Sequence, residues 1–392
     1  MLKLPIYLDH NATTPCDPEV VKVMLPYFSE NFGNAASRQH SFGWQAEEAV
    51  EHAREQVAGL IGAEPKEIIF TSGATEADNL AIKGVLEMYA AKGNHIITSV
   101  IEHKAVLDTC KHLERMGAEI TYLKVNRDGQ IDLGELESSI RPTTILVSLM
   151  YANNEIGNLM PMTEIGRICK KHGVLLFSDA AQAVGKVPVD VNGNGIDLLA
   201  ISAHKMYGPK GVGALYVRRK NPRVRLAAQI DGGGHEKGFR SGTLNVPGIV
   251  GFGKACELAM KRMEEDSARL SRLRNKLENA LVQLEDTYVN GDRENRLPHV
   301  TNISFKDADA NALLSGLNKE IALSSGSACT SASIEPSYVL KAIGLSDDLA
   351  HSSLRFCLGR FNTEEEIDFS IDQVSKTVMN LRQMIAGLKI EE

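Results

Sequence analysis

Residues 174–186 read VLLFSDAAQAVGK and residues 198–217 read LLAISAHKMYGPKGVGALYV. Each opens as a short apolar run and then breaks into small and polar residues around one charged group, Asp179 in the first and Lys205 in the second. Apolar runs of this length, closed by turn residues, read as strands buried on both faces. Working outward, similar runs recur at 67–71, 95–99, 119–123, 145–149 and 213–217, and with 174–178 and 198–202 they make seven candidate strands. Amphipathic stretches at 44–61, 75–90, 104–116, 162–172 and 246–284 read as helices. Strand and helix in alternation predict an α/β chain whose mostly parallel central sheet is flanked by helices. Such sheets take their ligands at the carboxyl ends of the strands, where Asp179 and Lys205 fall.

A chain of 392 residues exceeds what one core usually serves, so a second, smaller domain is expected, beginning near residue 260 within the long charged helical stretch. Hydrophobic content of 43% and charged content of 24% are those of a folded protein. A net charge of −7 argues against a broad footprint for nucleic acid or anionic membrane. The basic run Arg218, Arg219, Lys220, Arg223, Arg225 reads as a solvated strand end. No apolar stretch approaches the roughly 20 residues of a membrane span, and no leader is evident, so a cytoplasmic location is expected. The six cysteines form no CxxC pair, which leaves neither a zinc nor a disulfide framework, and most read as buried apolar residues.

Four segments carry chemistry. Lys205 is the candidate cofactor lysine, although taken alone it reads as a surface lysine and only its company reverses that. A pyridine cofactor used as an electron sink needs a carboxylate on its ring nitrogen, which Asp179 supplies, and Gln182 follows three residues on. Asp179 also suits a helix N-cap, and both uses can coexist. A phosphate is held best by free amides at a helix N-terminus, and Ser72, Gly73, Ala74 and Thr75 open a helix after a strand, as any βα turn does. Ser202 and His204 add side-chain donors beside Lys205. Cys329 sits in LSSGSACTSAS, small residues that suit a reactive loop and equally a linker with an incidental thiol.

Taken together, these residues resemble the cysteine desulfurases of the fold-type I pyridoxal-phosphate (PLP) class, the aminotransferase class V group, and most closely the housekeeping type that feeds iron-sulfur cluster assembly. The resemblance runs through YLDHNATTP, FGWQAEEAV, TSGATEADNLAIKG, IEHKAVLDTC, NNEIG, SDAAQAVGK, AHKMYGPKG, GGGHEKGFRSGT, SSGSACTSAS and LAHSSLRFCLGRF, in that order. It implies a large PLP-binding domain over 15–260 and a small α+β domain from 1–14 and 261–392 that carries the cysteine loop. It implies that Lys205 bonds the cofactor, Asp179 pairs with the ring nitrogen, His103 stacks on the ring and moves protons, and Gln182 donates to the ring phenolate. Ala74, Thr75, Ser202 and His204 are the implied phosphate cradle, and Thr243 is similar to a residue lent to the neighbouring subunit, which implies a homodimer. Arg355, with Asn154 alongside, is the implied grip on the substrate carboxylate.

The implied reaction takes sulfur from L-cysteine, releases alanine and leaves a persulfide on Cys329 for an acceptor such as an iron-sulfur cluster scaffold or a tRNA-thiolation relay protein. Residues 32–40, FGNAASRQH, lack a proline usual in the group, and Ala203 stands where glycine is common. The chain stops at LRQMIAGLKIEE, short of the tail by which similar proteins dock the cluster scaffold. Two other readings use part of the pattern: a selenocysteine lyase or other PLP-dependent amino-acid lyase of the same fold, and a non-catalytic docking protein that keeps only the fold.

Overall fold

Side-chain alternation explains why the large sheet is covered on both sides. The computed structural model describes residues 2–326 and 335–388. Its strands are β1 (Ile6–Tyr7), β2 (Ile68–Thr71), β3 (His95–Ser99), β4 (Glu119–Leu123), β5 (Thr144–Ser148), β6 (Leu175–Asp179), β7 (Leu198–Ser202), β8 (Gly213–Val217), β9 (Thr287–Val289), β10 (Val300–Phe305), β11 (Ile321–Ala322) and β12 (Ser353–Cys357). Successive side chains of a strand point to opposite faces. In β2 Ile68 and Phe70 join one core while Ile69 joins another, and in β7 Leu199 and Ile201 part in the same way from Leu198 and Ala200. Both faces are therefore apolar, and each needs a layer of helices.

The seven-stranded sheet runs β2-β8-β7-β6-β5-β3-β4. Strand β8 is antiparallel to both of its neighbours, and the pairs from β7 across to β4 are parallel. All seven strands read from the sequence form here, with ends displaced by at most a residue or so. The helices Ser41–Leu60, Ala74–Met88, Lys104–Glu114, Met162–His172 and Val246–Leu281 match the five amphipathic stretches. Arg218, the first residue of the basic run, folds back onto the carbonyls of Val191 and Ile196, both at 2.8 Å.

A third apolar cluster brings Ile6 and Leu8 together with Ile303, Phe305, Leu354, Phe356 and the C-terminal helix. The helix Val246–Leu281 serves two cores: Ile249, Phe252, Cys256 and Ala259 pack with the large sheet, and Leu270, Leu273, Leu277 and Leu281 with the small one. There β12-β10-β9 form an antiparallel sheet, and β1 pairs in parallel with β11. Among the described residues no helix is long and apolar enough to cross a membrane.

Candidate active site

Five strands of the large sheet deliver their next residues to one cavity of about 430 Å³. Strand β2 leads through Ser72 and Gly73 into the helix Ala74–Met88, β3 leads to His103, β5 to Asn154, β6 ends on Asp179, and β7 leads through Ser202 to His204 and Lys205. The small sheet contributes Arg355 from β12, and the N-terminal segment contributes Asn11 and Ala12. Gly73 holds φ 153° and ψ −178°, a conformation open essentially to glycine alone. It leaves the first amides of the helix free to face an anion. Glu76 in the same turn accepts from Ser72 N at 2.7 Å and is held by Arg240 at 2.8 Å.

Asp179 is buried, and its Oδ1 accepts from Ala181 N at 2.9 Å. Burial pushes its carboxyl up, while the His103 and Lys205 charges and the Ala181 hydrogen bond oppose that rise. A cationic ring nitrogen placed beside it would favour the ionised form further. His103 caps the helix Lys104–Glu114, its Nδ1 accepting from Ala105 N at 3.2 Å. Burial pulls this imidazole below its ordinary range. The neutral ring therefore carries its proton on Nε2. His204 is pulled to about 4 by burial and by Lys205, Lys210 and Lys186, and its Nδ1 lies 3.0 Å from Thr13 Oγ1.

Lys205 Nζ donates to Asn11 O at 2.5 Å and to Ala12 O at 2.8 Å. Gln182 Nε2 donates to the same Asn11 carbonyl at 2.9 Å. Arg355, 1% exposed, gives Nη1 to Asn154 O at 2.9 Å and Nη2 to Asp9 Oδ1 at 2.6 Å. Its Nε and the Asn154 Oδ1 are buried without partners among the described residues. Such orphaned groups are expensive unless a ligand satisfies them.

The model of one family, described as aminotransferase class-V, matches residues 6–369. The chain belongs to this class-V family. Curated class-V relatives include the cysteine desulfurase IscS of Anaeromyxobacter dehalogenans (strain 2CP-C), 58% identical over 98% of this chain and 95% of the relative. The cysteine desulfurase IscS of Salmonella paratyphi B is 57% identical over the same shares. Among solved structures, one titled NifS-like protein superposes with a TM-score of 0.88 at 36% identity, covering 98% of this chain and 100% of that one. The class-V fold is that of the fold-type I enzymes, with its mostly parallel sheet between helical layers.

Of the site residues read from the sequence, Ala74, Thr75, His103, Asn154, Asp179, Gln182, Ser202, His204, Lys205 and Arg355 line the cavity together. Thr243 is exposed and does not line it. Cys329 lies outside the described residues. The chain entering that segment is tied at Ser324, whose carbonyl accepts from Arg355 N at 2.8 Å. The chain leaving it is tied at Ser337, whose Oγ donates to Glu155 Oε2 at 2.5 Å, and at Tyr338, whose OH donates to Glu102 O at 2.6 Å. These ties fall on the cavity residue Arg355 and on the neighbours of Asn154 and His103. Sequence reasoning missed Asn11, Ala12, Met150 and Ala152 as lining residues. The one available signal for Asn11 was its place in YLDHNATTP, a motif to which no chemistry had been attached.

Proposed function

We propose that the chain is a PLP-dependent cysteine desulfurase that converts L-cysteine to L-alanine and leaves the sulfur on Cys329 as a persulfide. The observation that supports this most is the meeting of Asp179, Lys205, the amides at Gly73–Thr75 and Arg355 around one cavity. The residues fit the cofactor: a glycine-opened helix N-terminus for its phosphate, a buried carboxylate for its ring nitrogen and a lysine lining the same cavity. Bound there, PLP supplies an electron sink for the negative charge left on the substrate's α-carbon.

The chain's own groups do the rest. Arg355 takes the substrate carboxylate, with Asn154 beside it. Lys205 Nζ moves the α-proton. His103, neutral near pH 7, would stack on the ring and take the thiol proton of Cys329, which alone would be only a few per cent ionised, on Nδ1 as that atom gives up the Ala105 amide. The Cys329 thiolate then attacks the substrate sulfur; the carbon–sulfur bond breaks as the sulfur–sulfur bond forms, and the carbon keeps the electron pair and takes a proton to give alanine. Gln182 would donate to the phenolate, and Ser202 and His204 would join Ala74 and Thr75 at the phosphate. Within the same proposal, residues 15–260 form the cofactor domain and residues 1–14 with 261–392 the smaller one. Thr243 serves the phosphate site of a second copy, and the persulfide passes to an acceptor protein in the cytoplasm, with iron-sulfur cluster assembly or tRNA thiolation as its use.

The test is mass spectrometry of the purified protein after incubation with L-cysteine. One added sulfur on the peptide containing Cys329, with alanine released, is the expected result. Turnover of cysteine by Cys329→Ala at the parent rate in the presence of reductant overturns the persulfide route. A rate on selenocysteine far above that on cysteine, unaffected by Cys329→Ala, would favour the lyase alternative.

A further inference from the structure

In the turn after β6, Gln182 and Lys186 are four residues apart, and Lys186 Nζ donates to Gln182 Oε1 at 3.2 Å. The same ammonium reaches Asn11 Oδ1 at 3.4 Å, an atom that also faces His299 Nε2 at 2.8 Å. Asn11, 2% exposed, uses every polar atom of its side chain: Nδ2 donates to Asn154 O at 3.0 Å, the carbonyl that Arg355 also holds. Two amide oxygens are thus the hydrogen-bond partners of Lys186 among the described residues.

Its other neighbours do not explain a lysine here. Burial above all, and then the Lys205 and Arg355 cations, pull Lys186 down to about 7, opposed by Cys357. A cavity of about 20 Å³ behind it, room for about one water, is also lined by His10, Tyr207, Asp266 and His299. Asp266, the carboxylate of that lining, is already paired with Arg360 at 2.7 Å. Lys186 itself has no carboxylate partner among the described residues, and an anionic ligand in the main cavity would offset the cost of holding its charge there.

A carboxamide has two ends of nearly the same shape, so its neighbours decide which end points where. The ammonium, the form that Lys186 holds below about pH 7, has donors and no acceptor. With Lys186 behind Gln182, the amide oxygen turns inward, one Nε2 hydrogen goes to Asn11 O, and the other is left for the cavity that Gln182 lines. We infer that Lys186 is a positioning residue that fixes the rotation of the Gln182 carboxamide, so that Gln182 presents a donor rather than an acceptor to the phenolate oxygen of a bound pyridoxal ring. This rests on the PLP reading of the cavity and assigns a role to a residue which that reading leaves unused.

The experiment compares visible absorption spectra of the holoprotein and of Lys186→Met, Lys186→Arg, Gln182→Ala and the Gln182→Ala/Lys186→Met double variant, with cofactor content and thermal midpoint measured on each. Without the ammonium the Asn11 carbonyl alone holds the amide, the turned orientation gains population, the phenolate's donor weakens, and the short-wavelength form of the cofactor band gains about tenfold over the long-wavelength form, as a one-unit change in proton affinity requires. Lys186→Arg restores the parent spectrum. In the Gln182→Ala background Lys186→Met adds nothing, because the amide through which it acts is gone. If Lys186→Met does not accumulate as folded protein, Lys186→Gln, whose own carboxamide accepts either orientation, carries the same expectation. A parent-like spectrum in either variant, or the same shift with and without Gln182, overturns the inference. A parent protein with no visible band overturns the PLP reading itself.

Discussion

Glu102 sits against the active site with no solvent contact, and its protonation is a cost that the fold carries. Its Oε1 accepts from Ser99 Oγ at 2.8 Å and Met150 N at 2.9 Å, while Oε2 has no partner among the described residues. Burial pushes this carboxyl from 4.5 to about 8, against those two hydrogen bonds. The folded chain therefore keeps a proton that the unfolded chain releases above 4.5, so stability falls as pH rises from 4.5 towards 8. Glu102→Gln should flatten that part of the stability profile, read as thermal midpoints at half-unit steps of pH. An unchanged slope would mean that the carboxyl is ionised in the folded state. At Arg355 the expectation is kinetic. Lysine cannot serve Asp9, Asn154 and a substrate carboxylate at once, so Arg355→Lys should raise KM for cysteine by about ten- to a hundredfold, the worth of a charged hydrogen bond. The spectrum of the bound cofactor should not change. Lys205, Asp179 and Thr75 were legible in the sequence because each follows an apolar run that ends at the ligand side of the sheet. Asn11 was not, because its backbone carbonyl does the work, and the lysine it meets lies 194 residues away.

The turn between β2 and the helix Ala74–Met88 concentrates its specificity in one backbone conformation. A Cβ on Gly73 would meet only Ser202 Oγ at 3.9 Å, so space is not what excludes a side chain; the φ of 153° is. Gly73→Ala should cost about 1–3 kcal/mol of backbone strain. If the turn relaxes to avoid it, the amides leave the phosphate. We expect a cofactor dissociation constant at least about tenfold weaker, measured by titrating cofactor into the stripped protein, with a small change in thermal midpoint. The elements themselves were mostly legible: seven strands and five helices stand where periodicity put them. The short helix Leu133–Ser139 and the strands after residue 285 were not. Strands of two to six residues with mixed polarity, such as β1, β9 and β11, owe their form to partners distant in sequence and carry no period of their own.

Of the large apolar side chains that stand exposed on the molecule, several fall within residues 25–44, among them Leu25 at 59%, Phe28 at 63%, Phe32 at 64% and Trp44 at 56%. Patches of this kind mark association surfaces. We propose that in the homodimer a second copy covers them. Phe28→Asp combined with Phe32→Asp should give a monomer by analytical ultracentrifugation. Trp44, the one tryptophan of the sequence, should emit at longer wavelength in it than in the parent. A double variant that stays dimeric would place the interface elsewhere. The burial of four other cysteines has a different consequence. Cys110, Cys169, Cys256 and Cys357 are closed off in the core, and burial raises each thiol, to about 12 for Cys110 and Cys169 and about 11 for Cys357. Half-buried Cys16 is raised too. Among the described residues a labile sulfur atom brought into this protein finds no ready interior thiolate to hop to, so cargo loaded at one point cannot leak into the packing there; the interior is insulated from its own trade.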